Sequence, residues 1–170
     1  LRLSVGHVHG KPQSGQMGAV GGCGVLGWVA VVTGGSGGMG QSVGLEVVRE
    51  GAKVAIGDRN ASSLEEAAEE IGAVSHDTSR VLAIPADVTR EEDITQLVAR
   101  VVEHFGPLHI LINNAGRATP GRFADLTDEA WADDLDTKLF SMIRCCRAAI
   151  PHLRASGDGR IINSNSIFGK

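Results

Sequence analysis

Tyrosine is missing from this chain of 170 residues, and with two tryptophans and four phenylalanines the aromatic share is only 4%. No phenol is therefore present among these residues to act as an acid, a base or a hydrogen-bonding group. Cysteine is scarce as well. Cys23, Cys145 and Cys146 make an odd count without CxxC spacing, which excludes a disulfide framework and gives no zinc site. Reduced thiols in a cytoplasmic protein are the plain expectation. Positive charge is in deficit, sixteen Lys and Arg against twenty Asp and Glu, for a net charge of −4. That balance argues against a dedicated binder of nucleic acid or of anionic membrane surfaces. No apolar run reaches the roughly 18 residues that a membrane-spanning helix needs.

Glycine, by contrast, is abundant: 23 of 170 residues, about twice ordinary usage. With 42% hydrophobic and 21% charged residues, the rest of the composition is that of one globular domain with a sizeable core. The first 27 residues hold eight of the glycines and show no sustained periodicity. They lack the ordered basic, apolar and small-residue regions of a secretory leader, and are expected to form a flexible glycine-rich extension. The chain starts at Leu1, and Met17 is a candidate start. His7 and His9 could suggest a metal pair, but two histidines alone do not fill a site, so no metal is assigned.

From residue 28 the pattern becomes regular. Val29–Val32 is a short continuous apolar run, followed by further runs at Lys53–Gly57, Val81–Pro85, Leu108–Ile112 and Arg160–Ser164. Short unbroken apolar runs read as strands buried on both faces. Helical patterns lie between them. Ser62-x-x-Glu65 and Ser63-x-x-Glu66 read as capping boxes before Leu64, Ala67, Ala68 and Ile71, and Thr89-x-x-Glu92 as another before Ile94, Leu97, Val98, Val101, Val102 and Phe105. A longer helix starts near Thr127, with Leu135, Leu139, Met142, Ile143, Cys146, Ala149, Ile150 and Leu153 as its apolar stripe. A first helix begins near Met39 and is weakened by Gly44. Strands alternating with helices imply parallel pairing through right-handed crossovers, hence an α/β Rossmann-type doubly wound sheet over residues 28–170. Ligands of such sheets bind beyond the carboxyl ends of the strands, where strand order reverses.

The chemical signals fall at those ends. Thr33-Gly34-Gly35-Ser36-Gly37-Gly38-Met39-Gly40 lies between the first run and the first helix, and Gly35, Gly37 and Gly40 satisfy GxGxxG. Between a strand and a helix such glycines let a pyrophosphate approach the helix N-terminus. The candidate cofactor-binding residues here are Thr33, Gly34, Ser36, Gly37, Gly38, Met39 and Gly40. Asp58 ends the second run, twenty residues beyond Gly38, where a carboxylate takes the adenosine ribose hydroxyls and repels a 2′-phosphate. NAD is favoured on that ground. Arg59 follows and partly offsets it, which keeps NADP open.

These residues resemble the classical short-chain dehydrogenases/reductases. TGGSGGMG is similar to the glycine loop of that family through Thr33, Gly34, Gly38 and Gly40, and Asn113-Asn114-Ala115-Gly116 to its NNAG motif. Asp87-Val88 is similar to the family's acidic residue that touches the adenine ring, and Gly159–Ser166 to the strand that ends in its catalytic serine. The resemblance spans about residues 28–170, roughly the first three-fifths of such an enzyme. It implies an oxidoreductase that transfers hydride between a nicotinamide cofactor and an alcohol or ketone, with Asn114, Ala115, Gly116, Asp87 and Val88 among its cofactor contacts, Ser166 as the catalytic serine, and a homo-oligomeric parent.

Three departures qualify it. Asn165 stands where the family has a serine beside the catalytic one. The family's proton-relay asparagine lies seven residues after a helical tryptophan, a position that from Trp131 is Lys138; an ammonium could serve the relay there, or the side chain could merely snorkel from the apolar stripe. Most consequential, the family's tyrosine and its lysine partner are expected a dozen or so residues past Ser166, whereas this sequence ends at Lys170. The chain is accordingly expected to be a fragment, its sheet truncated after the fifth run with Arg160–Ser164 as an unpaired edge, and to be inactive alone. The alternative is a non-catalytic dinucleotide-binding sensor.

Overall fold

A computed structural model describes residues 24–117 and 121–165 together with the backbone of residues 2–8. Its elements in chain order are β1 (Arg2–Val8), β2 (Val29–Thr33), α1 (Gly38–Arg49), β3 (Lys53–Asp58), α2 (Ala61–Ser75), β4 (Val81–Pro85), α3 (Glu91–Phe105), β5 (Ile110–Asn113), α4 (Asp128–Leu135), α5 (Ser141–Ala155) and β6 (Gly159–Asn165). A π-helical turn, Asp136–Phe140, joins α4 to α5.

Alternation along the strands decides the layering. Val29 and Val31 of β2 face α3 and α5, where Leu97, Val101, Ala149 and Leu153 complete one core. Ala30 and Val32 face the other way, onto Val48 of α1 and Leu64 and Ile71 of α2. Both faces of the central strands are thus covered, which is why those segments read as unbroken apolar runs. The two helices of the second layer approach closely at Gly44, where a Cβ would stand 2.8 Å from Ile71 Cδ1. The glycine that weakens α1 in isolation is what lets α2 seat against it.

The sheet order is β1-β6-β5-β2-β3-β4. Strands β2 to β6 run parallel, as the Rossmann-type reading requires. The chain winds outward from β2 through β3 to β4, then crosses back to β5 on the opposite side of β2. Order therefore reverses between β2 and β5, and a crevice is expected there at the carboxyl ends. At the amino ends, His109 Nδ1 accepts the Val29 N–H at 3.1 Å while its ring stacks on Trp28. Burial holds the His109 pKa below its ordinary value, against the opposing influence of its Pro107 contact and Asp158.

Several local expectations are corrected. Residues 2–8, placed by their composition in a flexible extension, form a strand antiparallel to β6, with Arg2 opposite Asn165 and Val8 opposite Gly159. Leu3 and Val5 alternate with Arg2 and Ser4, the period of a strand, and the pairing occupies the edge of Arg160–Ser164 that was expected to stand open. His9, Met17 and Cys23 lie outside the described residues, as does the side chain of His7. Helix α2 begins earlier than its capping boxes suggest, because Asn60 accepts the Ser63 N–H and serves as the cap. Thr89 does not cap α3; its hydroxyl and N–H are taken by Asp87. On α5 the buried face is Ser141, Cys145, Ala149 and Leu153, a strict four-residue repeat, while Leu135, Leu139 and Ile143 of the expected stripe are exposed. The π turn shifts the phase of the helix by one residue, so a stripe drawn at α-helical spacing across it fails.

Candidate functional site

The crevice at the switch point is a cleft of about 330 Å³. Its floor is set by Thr33, buried at the end of β2. The Thr33 hydroxyl donates to Ile112 O and accepts the N–H groups of Asn114 and Ala115, both at 3.1 Å. Asn114 Nδ2 donates back to the carbonyls of Thr33 and Gly34, each at 3.1 Å. The loops after β2 and β5 are in this way bolted to each other.

Within the loop 33–40 the glycines divide by what they face. Gly34 has φ +66° and would place a Cβ 2.8 Å from Ala115 Cα, so both its conformation and its clearance require glycine. At Gly35 a Cβ would meet Ile56 Cβ at 2.5 Å, and at Gly40 it would meet Gly34 O at 2.1 Å. Those three shape the loop. Gly38 and Gly116 are different: a Cβ at either would meet nothing within 4 Å, and both line the cleft.

Gly38 opens α1, and that helix start is left bare. Its cap residue, Gly37, has no side chain to accept a hydrogen bond, and no acidic residue lies in the first turn. By comparison, α2 and α4 are capped by Asn60 and Thr127, and α3 carries Glu91, Glu92 and Asp93 in its first turn. Unpaired N–H groups and the positive end of the helix dipole at α1 thus point into the cleft.

Beyond the bare helix start, the cleft has two ends. At the β3–β4 end stand Asp58, Arg59, Asp87, Val88 and Thr89. Asp58 Oδ1 accepts the Asn60 N–H at 3.3 Å. Asp87 turns one oxygen to the Thr89 N–H and hydroxyl. Partial burial pushes the Asp87 carboxyl up, but the Thr89 hydrogen bonds and the charges of Arg59 and Arg90 outweigh it, and the carboxyl lies below its ordinary value. At the β5 end stand Asn114, Ala115, Gly116, Arg117 and Thr137. Asn114 Oδ1 is buried there without a hydrogen-bond partner among the described residues.

Most of the cofactor-binding candidates meet in this one cleft: Gly34, Gly37, Gly38, Met39, Gly40, Asp58, Arg59, Asp87, Val88, Asn114, Ala115 and Gly116. Thr33 and Ser36 do not line it; Thr33 acts from beneath as the bolt already described. Lys138 is not brought to the cleft either. Its Nζ pairs with Asp134 at 2.6 Å, one turn back along the helix, and the neighbouring Thr137 lines the cleft in its place. Ser166 lies outside the described residues. Just before it, the Ser164 hydroxyl reaches Met39 Sδ at 3.6 Å, so the end of β6 meets the glycine loop. Gly57, Ala86, Thr89, Arg117 and Thr137 also line the cleft. The first four sit at or just beyond strand ends and could have been found from that position alone; Thr137 depends on the π turn. Neither described cysteine is a nucleophile of this site, since burial pushes the Cys145 thiol up to about 12 and raises Cys146 as well.

The short chain dehydrogenase family model matches residues 28–170. The chain belongs to that family. A ketoacyl reductase assigned to the granaticin polyketide synthase of Streptomyces violaceoruber is 39% identical over 144 residues, which cover 83% of this chain and 55% of that protein. Among solved structures, L-sorbose reductase from Gluconobacter frateurii with NADPH and L-sorbose has a TM-score of 0.75 at 32% identity, over 80% of this chain and 51% of the other. An actinorhodin polyketide ketoreductase variant with NADPH has a TM-score of 0.75 at 33% identity, over 80% and 52%. The chain spans about half the length of these short-chain dehydrogenase relatives. The family is one of oxidoreductases, and among the described residues no helix is long and apolar enough to cross a membrane.

Proposed function

We propose that these residues are the dinucleotide-binding part of an oxidoreductase that moves a hydride between a nicotinamide cofactor and an alcohol or ketone. The observation that carries this reading is the bare start of α1, whose Gly38 leaves nothing within 4 Å of where a Cβ would stand. A pyrophosphate fits that space and accepts the unpaired N–H groups. The nicotinamide ring, when bound, supplies or takes the hydride. The chain's own part is to hold the dinucleotide: the α1 start takes the phosphates, Asp58 and Asp87 face the adenosine half, and Asn114 Oδ1 supplies a buried acceptor at the other end.

Asp58 and Arg59 act oppositely on the 2′ position of the adenosine ribose. The carboxylate accepts ribose hydroxyls and repels a phosphate, whereas the guanidinium attracts one. The Asn60 N–H already holds Asp58 Oδ1, and the two similar reductases carry NADPH. NADP(H) is therefore accepted alongside NAD(H), rather than excluded by Asp58.

With no tyrosine in the sequence and Lys138 held by Asp134, these 170 residues on their own bind cofactor without turnover. A positioned acid or base is worth roughly a hundred- to ten-thousandfold in rate, and among the described residues Lys138 does not line the cleft to replace it. The tie of Lys138 to Asp134 favours a binding-only role as the second reading. Fluorescence titration with NADPH and NADH, paired with an absorbance assay on simple alcohols, tests the reading. Saturable binding of both cofactors is expected, lost in Gly38→Val with far-ultraviolet dichroism intact and no turnover in either protein. Unchanged affinity in Gly38→Val would make the glycine loop purely structural, and turnover at ordinary enzyme rates would refute the binding-only role.

A further inference from the structure

We propose that Arg117 selects substrates that carry a carboxylate; this rests on reading the cleft as a nicotinamide-cofactor site. Arg117 follows Gly116 directly and lines the cleft at its β5 end, where its neighbours Asn114, Ala115, Gly116 and Thr137 are uncharged. The charged residues Asp58, Arg59 and Asp87 all stand at the opposite end, on the carboxyl side of β3 and β4. With phosphates at the α1 start and adenosine toward Asp58, the reacting end of the dinucleotide lies toward β5, and a substrate meets it beside Arg117.

The guanidinium is held by a contact that can be exchanged. Arg117 Nη2 pairs with an Asp133 carboxylate oxygen, and both side chains are about half exposed. Two other ion pairs lie close by in the chain, Lys138 with Asp134 and Arg144 with Asp136, but those join residues within the α4–α5 helical segment. The Arg117 pair instead crosses from the loop after β5 to α4. An exposed pair of that kind adds little to stability, so it does not explain an arginine at the cleft. What it does show is that the fork already accommodates a carboxylate. A guanidinium offers parallel N–H donors that match a carboxylate edge to edge. A substrate carboxylate would replace Asp133 one for one, leaving Asp133 in water as a displaced counter-ion.

The test is calorimetric, on the full chain loaded with NADP⁺, with acetoacetate and its ethyl ester as probes. They share a ketone and differ in the carboxylate, so the ratio of their dissociation constants reports Arg117 while any general effect on the cofactor cancels. Wild type is expected to favour acetoacetate by about tenfold or more, the range for a hydrogen bond to a charged group. Arg117→Gln should bring the ratio to about one, and Arg117→Lys should keep part of the preference. Asp133→Asn removes the competing carboxylate and should raise the ratio about two- to fivefold. A wild-type ratio near one, or the same ratio in wild type and Arg117→Gln, overturns the proposal while leaving the cofactor reading intact. Failure of NADP⁺ to bind wild type overturns the cofactor reading, and the proposal with it.

Discussion

At the β3–β4 end of the cleft, Asp58 ends and Asp87 follows strands whose Ile56 and Ile84 are almost completely buried, beneath helices with intact apolar stripes. At the β5 end, the wall formed by α4 and the π turn carries Leu135, Leu139 and Phe140 with nearly half of each residue's surface exposed, and its ties include three ion pairs, of which Arg117–Asp133 is exposed on both sides. The first end is built by burial, which acts over large areas and is insensitive to detail. The second is built by polar contacts of small individual worth. A cleft assembled from both has a rigid half and a looser half that can be altered without unfolding the domain.

The largest test of that contrast is a pair of substitutions. Leu97→Ala, on the face of α3 that packs on β3, should lower unfolding free energy by about 2–5 kcal/mol, as for other buried large-to-small changes. Leu139→Ser together with Lys138→Ala should stay within about 0.5 kcal/mol. Urea denaturation of both variants decides it, and equal losses would erase the distinction between the ends. Next in size is Thr33→Val. The isosteric change strands the half-buried Asn114 and Ala115 N–H groups and should cost about 1–3 kcal/mol. Loss of NADPH affinity without loss of stability would mean instead that Thr33 touches the ligand rather than bolting the loops.

The smallest effect concerns pH at the amino ends, away from both halves of the cleft. His109 folds neutral, with Nδ1 accepting the Val29 N–H, and burial depresses its pKa below 6.5. The unfolded chain then binds the proton more readily, so the contribution of His109 is present above pH 6.5 and fades as pH falls below it. Melting temperatures followed from pH 7.5 to 5 should decline more steeply in wild type than in His109→Gln. Parallel curves would show that the ring is not a titrating support of β2.

Much of this was open to the sequence reader. The continuous apolar runs at Val29–Val32 and Lys53–Gly57 require cover on both faces, and the Gly35-x-Gly37-x-x-Gly40 spacing between a strand and a helix points to a phosphate cradle, because both depend on neighbours in the chain. The cleft-lining residues at strand ends follow from the same logic. The Lys138 position rests on the family resemblance, counted from Trp131, and its side chain turns to Asp134 instead; the stripe Leu135–Leu139–Ile143 fails because helical spacing does not carry across a π turn whose extra residue rotates everything after it. The strand at Arg2–Val8 was hidden by surrounding glycines, although its alternation was there to be seen.

By itself, then, the sequence determined the order of strands and helices, the bare glycine start of α1 and the carboxylates at the ends of β3 and β4, because each is a local matter of periodicity, side-chain volume and charge. Only the tertiary structure decided which glycines shape the loop and which face the ligand, since that depends on Ile56, Ala115 and Gly34 O approaching from other parts of the chain. It likewise decided that Thr137 rather than Lys138 reaches the cleft, and that Arg117 leans across to Asp133. Those outcomes hang on distances between segments far apart in sequence, which no spacing along one segment encodes.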